Sequence, residues 1–373
     1  MESFQSGTNW SEPSAVSESR SQTGLIMRQN KPRVLETPLD RADSFLTPTE
    51  LFYIRSHSPA PKLDPATYRL QIDGAVRNAF SLTYDELRAM PSQTQVALLE
   101  CAGNSRVFLV PTASGAQWEL GGVSNAEWTG VPLRLLLERA GLEEDAVEIV
   151  LEGPDRGGAK EGAIPPAPVS YARSLGRAKA LGEVLIAYQM NGCDLPLDHG
   201  YPVRAIVPGH YAMASVKWLN RIYAVRERFQ GYWQTSDYAY WDSVDGKPVR
   251  RPSGEMQVKS EIFRPRFYEK VAPSETYTVF GAAWAGESEV AEVSVSTDGG
   301  KTWDQAEFLD PVSRYAWRRW KFDWVTPSKP CQCTLMSRAK DTSGNVQPNR
   351  HDENYGGYVI NHLLPIEVFV GDV

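Results

Sequence analysis

Past residue 254 every helical signal in this 373-residue chain disappears, and that constrains the fold more than any other feature. Tyr277 to Ala283, Val290 to Ser296, Ala316 to Trp324 and Gln332 to Ala339 read as short strands. They are separated by turns at Thr297-Asp298-Gly299-Gly300, Pro327-Ser328 and Asp341-Thr342-Ser343-Gly344. Short strands at such spacing, with Asp-Gly turns, predict an all-β sandwich of immunoglobulin type over residues 246–373. The Arg-, Pro- and Gly-rich run Gly246 to Gly254 reads as the linker leading into it.

Upstream the texture is mixed. Thr47-Pro48-Thr49-Glu50 resembles a helix start, Tyr68 to Ile72 alternates like a half-buried strand, and Leu82 to Leu87 reads as a short capped helix. Pro132 to Ala140 has the spacing of an amphipathic helix stopped by Gly141. Val96 to Leu99, Val147 to Leu151, Val184 to Tyr188 and Val203 to Val207 read as strands. Long Gly/Pro-rich connections favour an α+β domain over 46–245 rather than a regularly alternating parallel sheet. Residues 1–45, with seven Ser among the first 21, read as a flexible N-terminal arm. At about 150 residues per domain, the length fits two domains and a remainder.

Charge narrows the partners. The 39 Lys and Arg against 46 Asp and Glu give −7, without the basic excess that phosphate contacts demand of a nucleic-acid binder. Any anion must therefore be met by a local cationic cluster. Four cysteines are too few for a disulfide framework, and Cys331-x-Cys333 lacks zinc-ribbon spacing. The five histidines form no H-E-x-x-H, no apolar run spans a membrane, and no leader or twin-Arg pattern is visible. The expectation is a cytoplasmic protein without a membrane span.

Three segments carry chemistry. Cys101 leaves a strand into Ala102-Gly103-Asn104-Ser105-Arg106, where a nearby arginine favours the thiolate that binds metals or attacks carbon; a small buried core residue fits the same feature. Leu51 to His57 places Arg55 two residues before His57, and Asp198 to Arg204 places His199 five before Arg204. Ser215-Val216-Lys217 adds a hydroxyl and an ammonium. Arg and Lys with His suit a phosphate group through bidentate and point-charge contacts.

Taken in order, these segments resemble the sulfite oxidase family, molybdenum–pterin enzymes that also include the core of plant nitrate reductase. The resemblance is carried by LFYIRSH (51–57), ECAGNSR (100–106), LEGPD (151–155), AYQMNGCDLPLDHGYPVRAIVPG (187–209), SVKWL (215–219) and YWQTSDY (232–238). VSVSTDGGKTW (293–303) and RAKDTSGNVQP (338–348) extend it into the second domain. It implies a molybdopterin-binding core followed by an immunoglobulin-like domain for homodimerisation. It implies oxidation of sulfite to sulfate, with Cys101 as protein ligand to molybdenum, a role suited to a soft thiolate. Tyr53, Ile54, Arg55, Ser56 and His57 match a pterin-contacting stretch. Asp155, His199, Arg204, Ser215, Val216 and Lys217 match pterin or phosphate contacts. Arg55, Arg106 and Tyr238 fall at positions lining the oxyanion site. Arg314 falls where the second domain reaches back to the pocket, and Trp118 corresponds to a pocket-wall residue. One departure is Ser105, where the family often carries a first of two arginines.

No His pair stands in a haem context and no flavin or nicotinamide domain follows. The expected cofactor is thus the molybdenum cofactor alone, without haem, flavin or NAD, with electrons leaving to an external acceptor such as cytochrome c or oxygen. Two other readings use the same residues: reduction of a small oxyanion or S-oxide such as nitrate, and a Cys–His hydrolase pairing Cys101 with His199. An interaction protein built on the C-terminal sandwich would explain about a third of the chain.

Overall fold

The computed structural model describes residue 21 and residues 24–157 and 169–372. In the first domain two five-stranded sheets enclose the core. One runs Cys193–Asp194, Leu185–Met190, Val123–Pro132, Gln93–Glu100, with Arg204–Ile206 branching from Leu185–Met190. The other runs Phe80–Thr83, Arg69–Gly74, Arg221–Val225, Glu148–Arg156, Ser170–Gly176, and its Arg69–Gly74 and Arg221–Val225 strands pair in parallel. The helix Leu133–Ala140 buries Leu133, Leu136, Leu137 and Ala140 against Leu70, Ile72, Ile149 and Ile186, and Gly141 closes it in the left-handed conformation. Gly130 lets two strands close, since a Cβ there would lie 2.3 Å from the Ile186 carbonyl oxygen.

The second domain is the sandwich that the strand pattern predicts. Its four-stranded sheet runs Lys259–Arg264, Thr276–Trp284, Arg318–Val325, Glu307–Phe308. Its five-stranded sheet runs Lys270–Val271, Ile366–Val370, Cys331–Asp341, Val290–Ser296, Asp304–Gln305. Val279, Trp320, Val293, Leu335 and Val368 fill the space between them. The Asp298 carboxylate accepts from the backbone N–H groups of Lys301 and Thr302, fixing the turn after Val290–Ser296.

Three expectations are corrected. Residues 26–45 are not part of a flexible arm: Ile26–Gln29 and Val34–Glu36 form a small sheet with Ile54–Arg55, burying Leu25, Leu35 and Ile54 together. Residues 1–20 lie outside the described residues, as does the connection 158–168. The Gly246–Gly254 linker is largely Lys247–Pro252, which pairs with Ala239–Val244 in an exposed hairpin. The helix start at Thr47 yields one 3-10 turn, Thr49–Leu51, while the short capped helix is Tyr84–Arg88 with a full Thr83/Glu86 capping box. No helix among the described residues is long and apolar enough to cross a membrane.

The two domains share a core. Leu98, Ala102, Tyr211 and Trp233 of the first pack with Met256, Phe263, Trp284, Trp317 and Val359 of the second. The loop that carries Cys101 lies at this seam.

Candidate active site

Cys101 follows directly on the strand Gln93–Glu100 and is 7% exposed. Its N–H donates to Gly122 O at 2.8 Å, and its own carbonyl accepts from Asn104 N at 2.8 Å. Asn104 Oδ1 accepts from Gly122 N at 2.9 Å, so one side chain closes the loop against the neighbouring strand. A Cβ on Gly122 would crowd that oxygen at 2.8 Å, and one on Gly103 would lie 2.2 Å from Arg106 Nη2. Ser105 takes a left-handed φ of 72° to turn the chain.

Cys101 lines a cleft of about 700 Å³, part of it open to solvent. Tyr53, Arg55, Ser56, His57, Asp155, His199, Arg204, Ser215, Lys217 and Tyr238 line it too, so residues from six separated segments converge. Arg55 Nη2 lies 3.1 Å from His57 Nδ1, and His57 Nε2 lies 2.6 Å from the Tyr238 hydroxyl. Arginine only donates, so Nδ1 accepts and the ring proton on Nε2 points at Tyr238. That leaves the tyrosine's own proton free for the cleft. Burial, then the charges of Arg55, Lys217 and Arg106, hold the His57 pKa well below its ordinary value, keeping the ring neutral. Trp233 and Tyr171 flank the ring at 4.4 and 5.7 Å between centroids.

Lys217 Nζ donates to Ser56 Oγ and to Asp198 O, both at 2.9 Å. Burial, reinforced by Arg204, pulls its pKa down to about 7. Burial likewise pushes Asp155 up to about 6 against the pull of Lys217. Arg204 donates to His199 O at 2.9 Å and Ser215 O at 3.0 Å, with its guanidinium 5.0 Å from the Trp128 ring centroid. Burial pushes His199 down to about 3, and its ring bonds to the backbone of Thr49, so no Cys101–His199 dyad is built.

Five expected residues lie elsewhere. Arg106 is buried, but Nε and Nη2 donate to Gly357 O at 2.9 and 2.6 Å and Nη1 to Ala116 O at 2.9 Å. Its guanidinium is thereby tied to the second domain instead of lining the cleft. Arg314 pairs with Glu183 at 2.8 Å and Glu287 at 3.8 Å, its side chain 51% exposed, because these carboxylates hold it at the domain seam. Trp118 is fully buried behind the wall, edge-on to Tyr53 at 5.7 Å. Ile54 packs on Leu25 and Leu35, and Val216 belongs to the first-domain core. The cleft adds Asp198, Trp218, Ala102, Met213 and Tyr171. Asp198, Trp218 and Ala102 adjoin residues already singled out, whereas no local pattern marks Tyr171 or Met213.

These residues fit a pterin-type cofactor bearing phosphate and a metal. Asp155 Oδ1 is buried with no hydrogen-bond partner, and Lys217 uses two of its three donors on the protein. Among the described residues no three His, Cys, Asp or Glu side chains converge as a metal site. Cys101 is thus a single sulfur donor, suited to completing the coordination of a metal brought in by an organic ligand.

The comparisons agree. Residues 57–233 match the oxidoreductase molybdopterin binding domain, and residues 250–369 match the Mo-co oxidoreductase dimerisation domain. Sulfite oxidase of Gallus gallus is 38% identical over 346 residues, covering 87% of this chain and 73% of that protein. Sulfite oxidase of Arabidopsis thaliana is 30% identical, covering 82% of this chain and 83% of that protein. The sulfane dehydrogenase SoxCD from Paracoccus pantotrophus superimposes with a TM-score of 0.78 at 28% identity, over 98% of this chain and 89% of that chain. The chain belongs to the sulfite oxidase family of molybdenum-dependent oxidoreductases acting on sulfur compounds.

Proposed function

We propose that this chain oxidises sulfite to sulfate with the molybdenum cofactor as its single prosthetic group, works as a homodimer through its second domain, and passes electrons to an external acceptor. The observation that carries this reading is the convergence of Cys101 with Arg55, Arg204 and Lys217 in one cleft. Cys101 would ligate the metal; Lys217, Ser56 and Asp155 would hold the phosphate and polar edge of the pterin. When bound, that group supplies the two-electron oxidation of sulfur.

Arg55 supplies positive charge for a small oxyanion, and a charge-assisted hydrogen bond of this kind contributes about 1.5–3 kcal/mol. His57, neutral and fixed by Arg55, directs the Tyr238 hydroxyl so that its proton can be donated to an oxygen in the cleft. Burial first, then Cys101 and Asp237, raise the Tyr238 pKa, so the phenol keeps that proton across the physiological range. Tyr171 and Trp233 wall off the far side of His57 from water.

A second reading, oxidation of a sulfane sulfur or reduction of an S-oxide on the same scaffold, is favoured by the placement of Arg106 and Arg314 outside the cleft lining. Protein from cells competent in cofactor synthesis decides. The proposal expects about one molybdenum per chain by elemental analysis and sulfite-dependent ferricyanide reduction. Loaded protein that ignores sulfite but reduces nitrate or a sulfoxide with a reduced dye would overturn it.

A further inference from the structure

Behind the Cys101 loop lies a buried charge cluster that no cofactor contact accounts for. Lys259, on the edge strand Lys259–Arg264 of the second domain's four-stranded sheet, is 1% exposed. Its ammonium uses all three donors: Glu261 Oε1 at 2.8 Å, Glu100 Oε1 at 3.0 Å and Ser105 Oγ at 3.0 Å. Glu100 immediately precedes Cys101, and Ser105 closes the same loop. The second Glu100 oxygen accepts from Trp284 Nε1 at 2.9 Å, another second-domain residue. Ser105 donates to Glu261 at 2.9 Å, and Asn104 Nδ2 reaches Glu100 and Glu261 at 3.3 and 3.4 Å. Burial alone would depress the Lys259 pKa, yet Glu100 and Glu261 raise it, so the residue stays charged.

A buried ammonium set among two buried carboxyl groups is a poor device for mere adhesion, because an apolar trio of like volume holds an interface at least as well. What an apolar trio cannot do is donate to a carboxylate that is bonded in sequence to Cys101. The small Ser105 side chain is also what leaves room for an ammonium arriving from the other domain.

We propose that Lys259 is a positioning residue: from the second domain it fixes the Glu100 carboxylate and Ser105, and through them sets the placement of the Cys101 sulfur and the field around it. The part of the chain that matches a dimerisation domain thus also completes the cofactor site. The inference rests on the functional reading above.

The test compares wild-type holoenzyme with Lys259→Met/Glu261→Gln, which removes the buried ammonium and one carboxylate together, and with Trp284→Phe, which deletes one bond to Glu100 at nearly constant volume. Outer-shell partners of metal ligands are worth about 10- to 100-fold in activity or metal affinity. The double variant should lose at least about tenfold in kcat or in bound molybdenum, with KM for sulfite within about threefold because Lys259 does not line the cleft. The EPR spectrum and reduction potential of its half-reduced centre should also shift. Trp284→Phe should lower kcat by about two- to tenfold, again at constant KM, and it decides the matter if the double variant does not fold. Wild-type potential, spectrum and kcat in the folded variants would overturn this inference alone. Wild type that carries no molybdenum would overturn the functional reading and this inference with it.

Discussion

Replacing Lys217 with methionine should make the cofactor-free protein more stable and a weaker anion binder at once. Burial pulls this ammonium from 10.5 to about 7, with Arg204 and Arg55 adding to the drop and Asp155 and Asp198 opposing it. At about 1.4 kcal/mol per pH unit that gap is about 5 kcal/mol of native-state destabilisation. The side chain keeps some contact with solvent in an open cleft, so roughly half of it, about 2–3 kcal/mol, is expected to be felt. The sign follows from proton counts. A base with a depressed native pKa carries its full penalty below about pH 7, and the penalty fades as pH rises from there toward 10.5. Asp155 works in the same direction: without Lys217 its raised pKa climbs further, which subtracts from the variant's gain above about pH 6. The variant should therefore lead wild type by about 2–3 kcal/mol near pH 5.5 and lose that lead steadily toward pH 9.5. Denaturant unfolding of cofactor-free protein at several pH values reads this difference. Titration with pyrophosphate reads the other half, where loss of a charge-assisted contact should weaken binding by roughly 10- to 150-fold. A variant less stable than wild type at pH 5.5, or a stability difference that does not change with pH, would refute the reasoning.

Other perturbations separate the roles of the remaining residues. Cys101→Ser keeps the packing of a small buried side chain, so the fold should be retained while bound molybdenum or turnover falls to background, as read by elemental analysis and the sulfite assay. Tyr238→Phe removes the 2.6 Å bond to His57 and should lower kcat by about three- to tenfold; because burial raises the tyrosine pKa, the wild-type pH–rate profile should show no alkaline limb from this group below pH 9. Gly130→Ala would press a methyl onto the Ile186 carbonyl oxygen at 2.3 Å and should cost about 2–4 kcal/mol by denaturant unfolding.

How far the sequence reaches depends on whether the partner of a pattern is local. Tyr277 to Ala283 and Val290 to Ser296 are short runs bounded by turn residues, and Thr83 and Glu86 of the capping box stand three positions apart, so both are legible from the chain alone. The strand Val34–Glu36 is not. Three residues carry no period, and its reasons for being extended are Ile54–Arg55 beside it and Gly121 N at 2.6 Å from the Glu36 carboxylate. The hairpin strand Lys247–Pro252 is exposed at every position, so nothing in its pattern distinguishes it from a linker.

The arginines of the site teach the same lesson more sharply. Arg55, Arg204 and Lys217 each bond to, or lie within a few residues of, another cleft residue, and a reading by segments groups them in the cleft they line. Arg106 follows Cys101 by five residues and looks equally committed to the anion, yet its fork is filled by the carbonyls of Gly357 and Ala116, with the Tyr358 ring 5.1 Å away. The 251 residues separating Arg106 from Gly357 put that competition out of reach of any local motif. Arg314 is lost to Glu183 across 131 residues in the same way. In the proposed function, positive charge for the small oxyanion therefore rests on Arg55, while Lys217, bonded to Ser56 and Asp198, faces the pterin phosphate. Arg106 contributes through its field on His57 and by strapping the cysteine loop to the second domain, the same seam at which Lys259 enters from the other side.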